Sequence, residues 1–266
     1  MSCRPIRDLV DAELRQPVDP RVSEMAAAIA ARHGRASRAV LFYGSCLRER
    51  QLDGLMLDFY LIVSDYGSAY DKHWLASANA LIPPNVFPFQ HGNLAAKYAV
   101  LSEADFHRLN GPETRNVSVW ARFSQPSRLV WASDDAAAYR AIGSVARAAP
   151  TLLASARPFP VGDQLEPWRH AYSLTYSAEL RAERKGRSGS IVDTDPERFL
   201  EFLEPALTAI EPGAPQHSWA RRRIEGKLLS VVRLAKASAT YAGGAEYIAW
   251  KINRHAGTEI QLKPWQ

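Results

Sequence analysis

The sequence predicts an α/β domain over residues 1–131 followed by a helical domain over residues 132–266. Three observations predict it. Short β-rich apolar runs alternate with helical stretches in the first half, Ala-rich and amphipathic stretches fill the second, and Gly, Pro and polar clusters punctuate both. With 266 residues, 47% of them hydrophobic and no compositional bias, the chain can bury the core of one large or two modest domains.

In chain order, residues 21–33 read as a helix closed by Gly34, and RAVLFY (38–43) as a β-rich run that stops at Gly44-Ser45. RERQLDG (48–54) is a polar connection, LMLDFYLIV (55–63) a second strand, and SAYDKHWLASANAL (68–81) is helix-like. IPPNVFPFQHGN (82–93) reads as a Pro-broken loop and LAAKYAVLS (94–102) as a third strand. Helices are predicted over 134–148, 165–184, 196–209, 217–239 and 244–255.

Several function classes fall away at once. No apolar run approaches the ~18 residues of a membrane span, and the start, MSCRPIRDLVDAELRQ, lacks the apolar region of a secretory signal. A cytoplasmic chain is expected. Cys3 and Cys46 cannot build a disulfide framework, and without CxxC or clustered His they do not suggest zinc. Charge is unevenly spread: residues 215–266 hold nine Lys and Arg against three acids, a net of +6, whereas the whole chain carries +5. This local excess suits an anionic partner such as nucleic acid, anionic lipid or polyphosphate, and equally an ordinary solvated helix face.

A strand that delivers Gly44 and Ser45 to the start of a helix would present backbone N–H groups and a hydroxyl to phosphate. Fourteen residues after Gly44, Asp58 sits among hydrophobic residues, where a carboxylate needs a cation or a partner. Magnesium beside a triphosphate is one such partner and an Arg is another. Hydrophobic-Gly-Ser followed by an acid in an apolar run resembles the nucleotidyltransferase superfamily of the DNA polymerase β type. The resemblance implies a polymerase β-like domain with a mixed sheet. The superfamily's Asp-x-Asp is broken here by Tyr60, so a second metal-binding acid must come from elsewhere. Asp65 in LIVSDYG is the nearest candidate, with Asp53 behind it, and Ser-Asp-Tyr-Gly suits a turn equally well.

The same irregularity occurs in one subfamily. YGS, MLDFYLIVSD, AKYAVLS and WARFSQP together resemble the CTP:phosphatidate cytidylyltransferases of the mitochondrial translocator-maintenance type, over most of the chain. The resemblance implies CTP and phosphatidic acid as substrates, Mg²⁺ as cofactor, and roles for Lys97-Tyr98 and for Arg122 ahead of Pro126. Tyr98 would join Gly44 and Ser45 at the nucleotide. Tyr176, Glu179 and Arg181 in TYSAELRAE match the helical half. The sequence departs where the family has Gly before the Arg, here Ala121, and it has no clear counterpart of the family's Trp-His.

Lys97 has support of its own. A phosphate monoester is already ionised at neutral pH and needs no general base, so a cation in place of a third acid can position it and offset repulsion between two anions. Alternatively its stem packs on the sheet and its ammonium reaches water. Arg122 either caps a helix end or presents its fork to phosphate oxygens. In the tail, Arg221, Arg222, Arg223 and Trp250 lie among apolar residues as in an interfacial segment, or as on a core helix with a basic outer face.

These readings converge on a peripheral enzyme of the inner membrane face. It would make CDP-diacylglycerol and pyrophosphate with Asp58, Lys97 and Arg122 as catalytic residues and Asp58 and Asp65 as metal ligands. The expected partners are CTP, phosphatidic acid and an anionic membrane surface, with no stable nucleic acid. The alternatives are nucleotidyl transfer to RNA, a protein or a small molecule, and a non-catalytic nucleotide- or lipid-binding module.

Overall fold

The computed structural model describes residues 4–48, 51–178 and 187–240. In chain order these form α1 (Ile6–Leu14), α2 (Pro20–Ala31), β1 (Ser37–Tyr43), β2 (Met56–Val63), α3 (Tyr66–Ala69), α4 (His73–Leu81), β3 (Asn85–His91) and β4 (Leu94–Ser102). There follow α5 (Glu103–Asn110), α6 (Trp120–Phe123), β5 (Ser127–Ala132), α7 (Asp135–Ala146), α8 (Ala148–Ser155), α9 (Glu166–Ala178), α10 (Arg187–Thr194), α11 (Pro196–Thr208) and α12 (Trp219–Thr240). One mixed sheet has the order β3-β4-β2-β1-β5, with β2 and β4 parallel and every other pair antiparallel.

The central strand β2 is apolar along nearly its whole length because both of its faces are covered. Leu57, Phe59, Leu61 and Val63 point to the α2 side, with Val22, Met25 and Ile29, while Tyr60 and Ile62 point to the opposite side. That second side carries a core shared by α1, α5–α9 and α11. It includes Trp120, Trp168, Tyr172 and Phe199, so sheet and helical half are sealed together. The boundary expected at 131/132 falls within β5, and the described helices that follow share the core that lies against the sheet.

Helix starts follow local chemistry. Asp19 accepts from the Arg21 N–H ahead of Pro20, Ser102 from Asp105, Asp134 from Ala137, and Asp195 from Arg198 ahead of Pro196. A buried Arg198–Glu13 ion pair joins α11 to α1, and the same guanidinium donates to the Ser124 carbonyl at 3.1 Å. At Gly226, α12 presses against the end of α9 so closely that a Cβ would lie 2.2 Å from the Ala178 carbonyl oxygen.

Two strands depart from expectation. Residues 85–91, read as part of a loop because of Pro83, Pro84 and Pro88, form β3. Pro88 is tolerated there because β3 is an edge strand, where a missing N–H need not break a ladder. β5 was not predicted and closes the other edge beside β1. Helices α1, α5, α8 and α10 are likewise additions, and the helix expected over 244–255 lies outside the described residues. Among the described residues no helix is long and apolar enough to cross a membrane.

Candidate functional site

One rung of the sheet organises the site. Asp58 in β2 pairs with Lys97 in β4 on one side and with Tyr43 in β1 on the other, and paired residues point to the same face. Pro88 and Ser127 extend the rung to the two edges. The next residues inward on that face, Leu41, Tyr60 and Ala99, belong to the shared core. Phe123 from α6 packs on Tyr43 and Tyr60, with ring centroids 5.9 and 5.2 Å away. Among the described residues the Asp58 and Lys97 side chains remain 24% and 36% exposed. Asp58 therefore sits at the open end of a strand.

Lys97 Nζ stands 3.1 Å from Asp58 Oδ1, an ion pair whose geometry does not make a hydrogen bond to that buried oxygen. Asp58 Oδ2 faces Gly44, where β1 ends. Gly44 takes φ +95°, a conformation glycine favours, and a Cβ placed on it would come within 3.5 Å of Oδ2. Ser45 follows, exposed, at the start of a 3-10 turn over Ser45–Arg48. The expected helix is thus a single short turn, whose dipole is small, and the exposed backbone at Gly44 and Ser45 is what remains for an anion.

Arg122 enters from α6. It donates to the Ser118 carbonyl and stands near enough to Tyr43 for its charge to act on the phenol. Burial first, then the Asp58 charge and Tyr60, hold the Tyr43 phenol well above its usual range, while Arg122 pulls the other way. Tyr43 consequently stays protonated between an acid and a guanidinium. With Lys97 and Arg122 around one carboxylate, the local balance is positive and suits an anionic ligand.

Other expected members stand apart. Asp65 lies seven residues beyond Asp58, past the other end of β2, roughly 23 Å of extended strand away. It caps α3 by accepting from the Ser68 N–H at 2.8 Å, and this bond draws its carboxyl below the usual range. The turn reading of Asp65 is the correct one, and the two acids do not share a metal ion. Asp53 pairs with Arg21 at 3.4 Å and with Asn93. Among the described residues no group of three or more His, Cys, Asp and Glu is placed to hold a metal.

Tyr98 follows Lys97 in β4 and so points to the opposite face of the sheet. It is buried in the α2-side core, and its hydroxyl lies 3.2 Å from His33 Nε2. Burial pushes the phenol up to about 12. It is a core residue rather than part of the Asp58 site. Tyr176 is half-buried on α9 against the shared core, and Glu179, Arg181 and Trp250 lie outside the described residues.

The expected outward-facing arginines divide. Arg221 and Arg223 are exposed, but Arg222 is 1% exposed, lodged between the rings of Trp120 and Trp219 and bonded to the Thr114 and Arg115 carbonyls. Its place is inside the fold. Tyr43 is the site residue that sequence reading missed. The one available signal was its position directly before Gly44, since an electrostatic search passes over a neutral phenol.

No protein-family model matches the chain, and no curated protein matches it. Among solved structures, a nucleotidyltransferase-like protein from Exiguobacterium sibiricum 255-15 aligns over 88% of this chain and 80% of its own, at 12% identity and a TM-score of 0.31. A score that low carries no argument. The mixed α/β fold stands on the strand order, and the resemblance to phosphatidate cytidylyltransferases rests on the motifs.

Proposed function

We propose that the protein is a nucleotidyltransferase that joins CTP to phosphatidic acid, forming CDP-diacylglycerol and releasing pyrophosphate. The observation that carries the proposal is the rung Lys97–Asp58–Tyr43 with Arg122 beside it, at the open end of the sheet next to the Gly44 turn. An oxygen of the phosphatidate monoester attacks the α-phosphorus of CTP, the bond to the β-phosphate breaks, and its electron pair leaves with pyrophosphate. The nucleophile is already ionised, so no general base is required, which agrees with a cation at position 97. Lys97 and Arg122 hold the two anions together and neutralise their charge.

Asp58 is the carboxylate that would hold magnesium, through the Oδ2 that lies beside Gly44. One or two carboxylates completed by substrate phosphates form a usual magnesium set, so the donor present is compatible with the ion, which when bound neutralises phosphate oxygens. For access to lipid, α12 offers Ile224, Leu228 and Val231, 71%, 65% and 54% exposed at i, i+4 and i+7, with Arg221 and Arg223 nearby. An apolar stripe flanked by cations suits an anionic membrane surface.

A second reading is favoured by one observation. Among the described residues Asp58 belongs to no group of three or more His, Cys, Asp and Glu that could hold a metal, as in a nucleotide- or lipid-binding module without turnover. Incubating the protein with phosphatidate, Mg²⁺ and each of the four nucleoside triphosphates, followed by lipid extraction, separates the readings. Labelled CDP-lipid formed from CTP alone is expected. Binding of CTP without any labelled lipid would favour the module.

A further inference from the structure

Helix α12 grips the chain just ahead of the site. Arg222 Nη1 donates to the carbonyls of Thr114 and Arg115 at 3.1 and 2.9 Å, and Arg115 returns a bond to Glu225 Oε1 at 2.7 Å. Two turns further along α12, Arg233 Nη1 donates to Ser118 Oγ at 3.0 Å while its Nε donates to the Pro83 carbonyl at 3.0 Å. The segment between is braced internally: Thr114 Oγ1 accepts from the Asn116 N–H, and Asn116 Oδ1 accepts from the Ser118 N–H. Its last residue, Ser118, offers its carbonyl to Arg122. Arg122 then stands beside Tyr43, the register partner of Asp58.

A helix of four residues does not by itself hold a long side chain in place. α6 is that short, so the Ser118 carbonyl is a fixed point for the Arg122 guanidinium, and the hydrogen bond from Arg233 in α12 fixes Ser118. We infer that α12 is the positioning element of the site, with Arg233 acting through Ser118 to set where the Arg122 guanidinium stands. Arg222 and Glu225 anchor the same segment upstream. None of the three is assigned contact with a ligand. The consequence for binding rests on the functional reading above, whereas the placement of Arg122 does not.

The test uses the full chain and two readouts. The first is calorimetric titration with inorganic pyrophosphate of the wild type and of Ser118→Ala, Ser118→Thr, Arg233→Lys, Arg122→Lys and the Ser118→Ala/Arg122→Lys pair. The second is side-chain ¹⁵N NMR of the Arg122 guanidinium without ligand, assigned with Arg122→Lys. Ser118→Ala and Arg233→Lys should each weaken pyrophosphate binding several-fold and speed rotation of the Arg122 guanidinium, and Ser118→Thr should restore both. In the Arg122→Lys background, Ser118→Ala should cause no further loss. Losses that multiply in the pair, or an Arg122 signal unchanged by Ser118→Ala, would overturn the inference and leave α12 as scaffold. If the wild type binds no pyrophosphate, the functional reading falls, and the NMR signal alone decides whether α12 positions Arg122.

Discussion

Lys97 is the register partner of Asp58 in the parallel β2–β4 ladder, and its ammonium nitrogen stands 3.1 Å from the carboxylate. Each therefore partly neutralises the other, and a change in either is felt by both. Asp58→Asn keeps the size but loses the charge. Transfer should fall by at least ~10²-fold, as when a preorganised charge is removed from an active site, with an unchanged circular dichroism spectrum. Lys97→Ala should lower lipid-dependent turnover more than CTP affinity. Weakened CTP binding with normal turnover would assign Lys97 to the triphosphate instead.

Gly44→Ala tests the turn. There is room for the methyl group, since its nearest contact is 3.5 Å, so the cost is backbone strain at φ +95°. Such strain is worth roughly 1–3 kcal/mol. A lower melting temperature is expected together with reduced nucleotide affinity, because relaxing the strain moves the exposed backbone beside Asp58. Unchanged affinity in a destabilised variant would remove Gly44 from the nucleotide.

Membrane docking is tested with the exposed arginines only. Arg221→Ala with Arg223→Ala should weaken binding to phosphatidate vesicles, at ~1 kcal/mol per cation near an anionic surface, or roughly thirtyfold for the pair. Raised salt should shrink the difference. Melting should hardly change. Arg222→Ala, by contrast, should lower the melting temperature, since it empties the space between two tryptophan rings and frees two carbonyls. Vesicle flotation that does not respond to the double variant would sink the docking role.

His33 supplies a pH dependence on the face of the sheet opposite the site. Its Nδ1 donates to the Ala69 carbonyl at 2.9 Å, and in the neutral ring this leaves Nε2 to accept from the Tyr98 hydroxyl at 3.2 Å. Burial is the main cause holding it below the ordinary value of 6.5. The unfolded chain therefore binds the proton more readily than the fold does, and acid favours unfolding. Stability from His33 is complete above pH 6.5 and is lost as pH falls through the depressed folded value. Calorimetric melts of His33→Asn below that pH should decline less steeply than those of the wild type.

Much of the sheet was legible because β1, β2 and β4 are interior strands whose apolar runs need both faces covered. β3 was not, since Pro88 and the Pro83-Pro84 pair ahead of it mimic a loop and only pairing with β4 makes it a strand. Gly44, Asp58 and Lys97 could be read from motif and chemistry. Two errors share a cause, which is that sequence distance was taken for spatial distance. Asp65 seems near Asp58 only if strand length is ignored, and Tyr98 seems to belong with Lys97 only if the alternation of side chains is ignored. Arg222 was placed outside because charge usually is, and two tryptophans 102 and 3 residues before it are brought around it only by tertiary packing. Arg233 reaches Ser118 across 115 residues, and no local pattern announces such a contact.

The edge strand carries a protective consequence. An unpaired β edge invites strands from other molecules, and long uninterrupted edges seed aggregates. Pro88, in the middle of β3, lacks an N–H and so has no donor to offer a further strand. The residue that disguised this strand in the sequence thus also guards it against recruitment into intermolecular sheets.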